Sequence, residues 1–137
     1  MIVDTSAIVA ILRREPEAGP LSNALKADGS PKMSAATFVE LRVVTGAKAS
    51  PEEARRVKPM LDAYNIEIVP FTPSEAILAG DAYRDFGKGS GHRAHLNMGD
   101  CFSYALASET REPLLFVGND FTWTDVTPAV KPAPRVS

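Results

Sequence analysis

Apolar residues in this chain fall into short runs and helical stripes, and the two patterns alternate. Ile2-Val3 is a two-residue run that reads as a buried strand. Thr5-Ser6 offers a helix start, residues 7–14 carry the first helix, and Pro16 ends it. Residues 17–27 read as a second helix, with Leu21 and Leu25 four apart on one face. The turn Asp28-Gly29-Ser30-Pro31 leads to a short strand at residues 32–34. Residues 35–47 are helical, and Ser50-Pro51-Glu52-Glu53 starts a helix that runs to about residue 63. Residues 66–69 alternate as a strand does. Thr72-Pro73-Ser74-Glu75 opens a helix reaching about residue 86, followed by the glycine-rich basic loop Gly87-Lys88-Gly89-Ser90-Gly91-His92-Arg93. Asn97 caps a helix over residues 98–110. Residues 114–117 read as a buried strand and residues 124–126 as a last short edge strand.

Short strands alternating with helices predict one α/β domain, a parallel sheet covered on both faces. The domain is expected to span residues 1–127. Residues 128–137 hold three prolines and read as an extended tail. In such sheets ligands bind beyond the carboxyl ends of the strands, at a switch in strand order. Asp4 and Asp120 both stand at the carboxyl end of an expected strand.

The length of 137 residues suits one domain, and 45% hydrophobic with 23% charged residues is an ordinary globular balance. A net charge of −2 excludes a basic footprint over the whole surface, so nucleic acid would need a local patch. The single Cys101 cannot form an internal disulfide and reads as a small core residue. The opening Met1-Ile2-Val3-Asp4 lacks a basic segment and a long apolar one, so no secretory signal is expected. No apolar run approaches a membrane span, and a cytoplasmic location with no membrane partner fits.

Four acids interrupt this pattern. Asp4, Glu40, Asp100 and Asp120 each border an apolar run, where an unpaired charge is costly. Each has an ordinary alternative role: Asp4 as a helix cap, Glu40 as a surface side chain, Asp100 as a first-turn acid, Asp120 as a turn residue. Asp125 reads as a loop acid with a lesser claim. Together the four are expected at one sheet edge, where gathered carboxylates repel unless a cation joins them. An all-oxygen donor set selects Mg²⁺, with Mn²⁺ as a substitute, over zinc. His92 and His95 lack the spacing of a zinc site.

Met1-Ile2-Val3-Asp4-Thr5-Ser6-Ala7, Thr37-Phe38-Val39-Glu40-Leu41, Asn97-Met98-Gly99-Asp100-Cys101 and Gly118-Asn119-Asp120-Phe121 resemble the motifs of the PIN-domain family. More narrowly the chain is similar to VapC toxins of bacterial VapBC toxin–antitoxin systems, a branch also marked by the stretch from Tyr83 to Gly89. The resemblance implies a three-layer α/β/α sandwich with a parallel sheet of about five strands in order 3-2-1-4-5. It implies a metal-dependent endoribonuclease with Asp4, Glu40, Asp100 and Asp120 as catalytic acids. Asp4 and Asp100 would bind Mg²⁺, with Glu40 and Asp120 as direct or water-mediated ligands. Thr5, Ser6 and Asn119 are candidate donors that hold these carboxylates. Lys88, His92 and Arg93, with Arg13, Arg14 and Arg42, are candidate RNA contacts. The resemblance further implies a VapB-like antitoxin whose segment covers the acidic cleft, and a homodimer or higher assembly. The alternative is a catalytically inactive PIN domain serving as an RNA- or protein-binding regulatory module.

Overall fold

The computed structural model describes residues 1–47 and 50–131. Its elements run β1 (Ile2–Val3), α1 (Thr5–Leu12), α2 (Ala18–Ala27), β2 (Lys32–Ser34), α3 (Ala35–Ala47), α4 (Pro51–Ala63), β3 (Glu67–Val69), α5 (Pro73–Phe86), α6 (Met98–Thr110), β4 (Leu114–Leu115) and a 3₁₀ turn (Asp120–Trp123). Local capping chemistry sets most helix starts. Ser50 accepts a hydrogen bond from the Glu53 N–H, and Thr72–Glu75 and Asn97–Asp100 form reciprocal capping boxes. α1 starts at Thr5, two residues earlier than expected, because Asp4 is its N-cap and accepts from the Ser6 N–H at 3.1 Å.

The strands pair in parallel in the order β3-β2-β1-β4. Ile2 stands opposite Leu114 and Val3 opposite Leu115, while Lys32, Met33 and Ser34 match Glu67, Ile68 and Val69. Side chains on a strand alternate between faces, and this sheet divides accordingly. Val3, Met33 and Leu115 pack with Ile8, Leu12, Leu25, Leu41 and Leu61 from α1 to α4. Ile2 and Leu114 pack with Ala79, Ala82, Leu96, Tyr104 and Leu106 on the α5–α6 side. Three layers result, with each fully buried aliphatic side chain contributing about 1.5–3 kcal/mol. No helix among the described residues is long and apolar enough to cross a membrane.

The sheet has four strands, not about five, and the expected order 3-2-1-4-5 stops at β4. Residues 124–126 form no strand. The outer edge of β4 meets only a single parallel bridge between Leu114 and Pro128, made by Leu114 N–H to Thr127 O and Ala129 N–H to Leu114 O, both 2.8 Å. Proline has no N–H with which to extend a ladder. Ala129 and Val130, counted in the expected tail, pack against the core; the tail's residues 132–137 lie outside the described residues.

Candidate active site

The chain leaves β1 at the carboxyl edge of the sheet, and Asp4 is the first residue beyond it. Its side chain is 3% exposed. Oδ2 accepts from Ser6 N–H and from Ser6 Oγ at 2.7 Å, and Oδ1 accepts from Ser103 Oγ at 2.5 Å. Ser6 Oγ in turn accepts from the Val117 N–H at 3.0 Å, which ties the exit of β4 to the exit of β1. Burial pushes the Asp4 carboxyl above its ordinary range, and the hydrogen bonds from Ser103 and Ser6 only offset this in part.

Glu40 comes from the middle of α3. Thr5 Oγ1 donates to its Oε1 at 2.5 Å. The stripe on which Glu40 sits is not core throughout, since Val43 is exposed and Glu40 half-buried. Burial raises its pKa first, and the Asp4 charge adds to the effect. The carboxylate reaches α6 at Gly99, where an added Cβ would overlap Glu40 Oε2 and Cδ. Only glycine at 99 permits this approach.

Asp100 is the N3 residue of α6. Its Oδ2 accepts from Asn97 N–H at 3.0 Å while Asn97 Oδ1 accepts from Asp100 N–H at 2.8 Å. Its pKa is pushed up to about 7, first by burial, then by the charge of Asp4, and further by Asp120 and Glu40. Acids at positions 4, 40, 100 and 120 therefore share one electrostatic field. Among the described residues no Lys or Arg pairs with any of them.

Asp120 stands exposed in the 3₁₀ turn, which Phe121 anchors against Phe116 with ring centroids 5.1 Å apart. Asp125 lies apart from this field. It accepts from Tyr104 Oη at 2.5 Å and exerts no charge effect on Asp100.

Of the expected supporting residues, Thr5 and Ser6 do hold the acids. Asn119 gives its carbonyl to the Thr122 N–H, and its side chain makes no capping bond. Two further supports come from the structure alone. Ser103, fully buried, lies one turn after Asp100, and Thr37 Oγ1 lies 3.3 Å from Ser103 Oγ, one turn before Glu40. An i, i+3 hydroxyl beside each acid is the signal that would have located both.

The basic candidates divide. Arg13 is paired with Glu53 at 2.9 Å. Arg42 lines a hollow between α3 and α4 with Phe38, Ala54, Val57 and Lys58, away from the acids. His92 commits Nδ1 to the Ala94 N–H at 3.1 Å and packs edge-on against Phe86. Lys88 and Arg93 are exposed on the loop before α6, and Arg14 is exposed beyond α1.

Chemically, the cluster is an all-oxygen donor set with buried, unneutralised negative charge, which suits a hard divalent cation. No three of these side chains already stand at ligating spacing among the described residues. Glu40 Oε1 and Asp100 Oδ2 each accept one of these hydrogen bonds and keep a second lone-pair direction for a cation, whereas Asp4 Oδ2 accepts two.

A family model described as PIN domain matches residues 1–126. Ribonuclease VapC42 of Mycobacterium tuberculosis is 50% identical over 129 residues, covering 94% of this chain and 98% of its own length. Ribonuclease VapC28 of the same organism is 46% identical over 130 residues, covering 95% and 98%. A solved toxin–antitoxin complex from Klebsiella pneumoniae shares the fold, with a TM-score of 0.69 at 17% identity over 94% of this chain and 97% of that one. With the motif acids gathered at the carboxyl edge of a parallel sheet, and the family model spanning nearly the whole length, this chain belongs to the PIN domain family.

Proposed function

We propose that this protein is a divalent-metal-dependent endoribonuclease and the toxin of a toxin–antitoxin pair. One observation carries the reading: four carboxylates from distant parts of the chain share one field, with no basic side chain among the described residues paired to them. The relatives named ribonuclease VapC support RNA as the substrate.

In this reading Asp4 and Asp100 hold the cation, with Glu40 and Asp120 completing the set, and Asp125, which accepts from Tyr104, is left out of it. A bound Mg²⁺ supplies charge for the phosphoryl oxygens and acidifies water. Ser103 and Ser6 fix both oxygens of Asp4, so the carboxylate does not reorient during turnover. Glu40 is half-buried with a raised pKa, which suits it to take a proton from water. That oxygen attacks phosphorus, the bond to the leaving oxygen breaks, and the leaving oxygen gains a proton from solvent. Exposed Lys88 contributes a phosphate contact at the loop before α6, while Arg42, in the hollow between α3 and α4, is given no part in it.

A protein partner fits the rim of the cleft. Val39 (61% exposed) and Val43 (59%) flank Glu40 on α3, and Met98 (66%) precedes Asp100. An antitoxin segment with apolar side chains for these and an Arg for the carboxylates would cover the site. A cytoplasmic location accords with both partners.

Cleavage of single-stranded RNA by pure protein is the test. Cleavage with Mg²⁺, lost with chelator and lost in Asp4→Asn and Asp100→Asn, is expected. Cleavage unchanged in both variants would place the chemistry elsewhere, and no cleavage by the wild type on any RNA would favour a binding module.

A further inference from the structure

The loop before α6 and the 3₁₀ turn after β4 meet at one contact. The Arg93 guanidinium carbon lies 3.8 Å from the centroid of the Trp123 ring. Both partners are held in place by their own segments. Gly89 and Gly91 take φ of +87° and +84°, a region L side chains rarely adopt, and let the loop fold back. Lys88 N–H then donates to Leu96 O and Leu96 N–H to Phe86 O, both at 2.9 Å. Ala94 and Leu96 are buried on either side of the exposed His95, so the loop is pinned while Arg93 stays in solvent. Trp123 is half-buried, and its turn is fixed by Phe121.

The turn geometry brings this contact to the acids. In a 3₁₀ helix, side chains at i and i+3 eclipse. Asp120 and Trp123 are three apart, so they share one side of the turn, and Asp120 is close enough to Asp100 for its charge to be felt there. A planar cation laid on an indole therefore borders an acidic, otherwise repulsive cleft. Two other Arg side chains are engaged elsewhere: Arg13 with Glu53, and Arg84 with Asp81 and Asp85.

We propose that Arg93 stacked on Trp123 is the platform on which an unpaired base of single-stranded RNA stacks, beside the phosphate to be cut. Guanidinium planes and aromatic rings both accept bases in this way, and the interaction tolerates any base because every base has a flat face. The positive charge also offsets the repulsion between the RNA backbone and the acids. A duplex keeps its bases stacked internally and cannot use the platform. This proposal rests on the nuclease reading above and names the substrate subsite of that same centre.

Two measurements test it. Trp123 is the only tryptophan of the chain, so its emission reports the platform directly. Titration of the metal-free wild type with a mixed-sequence single-stranded RNA is expected to quench that emission, and the matching duplex is expected not to. In steady-state cleavage with Mg²⁺, Arg93→Ala is expected to raise KM about tenfold while kcat changes less than about twofold. Arg93→Lys, which keeps charge but loses the plane, is expected to recover only a small part. Emission insensitive to single-stranded RNA, equal response to duplex, full recovery by Lys, or an unchanged KM in Arg93→Ala would each overturn the platform, as would a response to a protein partner alone. Absence of any wild-type cleavage would instead remove the nuclease reading, and the emission titration would still decide the platform.

Discussion

Asp4 is almost sealed from water, and its charge is tolerated because three hydrogen bonds from two serines converge on it. Removing Ser103 Oγ leaves a buried carboxylate oxygen without its donor. Ser103→Ala is expected to destabilise the protein by about 1–2 kcal/mol in a denaturant titration and to lower kcat/KM about tenfold, because the carboxylate loses its fixed orientation. Asp100 is shifted in the same sense as Asp4, with fewer hydrogen bonds to offset its burial. Its pKa in the folded protein, about 7, lies above its ordinary value of 3.8. The native state therefore holds the extra proton between those values, and its stability falls as pH rises through that window in metal-free protein. Asp100→Asn removes this penalty. Its metal-free melting temperature at pH 8 is expected to exceed that of wild type by about 5 °C, with the difference shrinking as pH falls through that window and gone only below about pH 4, where Asp100 is protonated in both the folded and the unfolded chain. The same variant is expected to be inactive.

At the scale of elements, α6 places one acid and makes room for another. Its capping box orients Asp100, and Gly99 admits the carboxylate of Glu40. Asn97→Ala is expected to cost about 1 kcal/mol in a denaturant titration and to reduce cleavage by releasing Asp100 from its position. Gly99→Ala must push Glu40 away from the cluster. It is expected to lower kcat at least tenfold while the protein stays folded, and Gly99→Ala showing wild-type kcat would remove Glu40 from the chemistry. The bounds of α3 and α6, at 35–47 and 98–110, were readable from sequence because caps and helical periodicity are local signals. The strand expected at 124–126 was not realised, since Tyr104 draws Asp125 into a bond from across the chain and Pro128 stops the ladder. No local pattern carries such information. The four acids were legible because each interrupts an apolar run. Ser103 and Thr37 were hidden, because a small hydroxyl residue inside an apolar helix reads as filler until its partner is known.

Over the whole molecule, two apolar layers hold β1 and β4 side by side, and this brings residues 4 and 120 together although 116 positions separate them in sequence. The fold thereby stores repulsion at one sheet edge and leaves apolar side chains around it. Val43→Asp is expected to abolish co-purification with an antitoxin encoded beside this chain while RNA cleavage persists. The central claim is that the acids form one cation site, and calorimetric titration of Mn²⁺ into the metal-free protein at pH 7 tests it most directly. Wild type is expected to bind Mn²⁺ saturably and to release protons from the acids as it does so, read from the dependence of heat on buffer ionisation, with Asp4→Asn and Asp100→Asn showing no binding. Absence of binding in the wild type, or equal binding in all three proteins, would contradict the account.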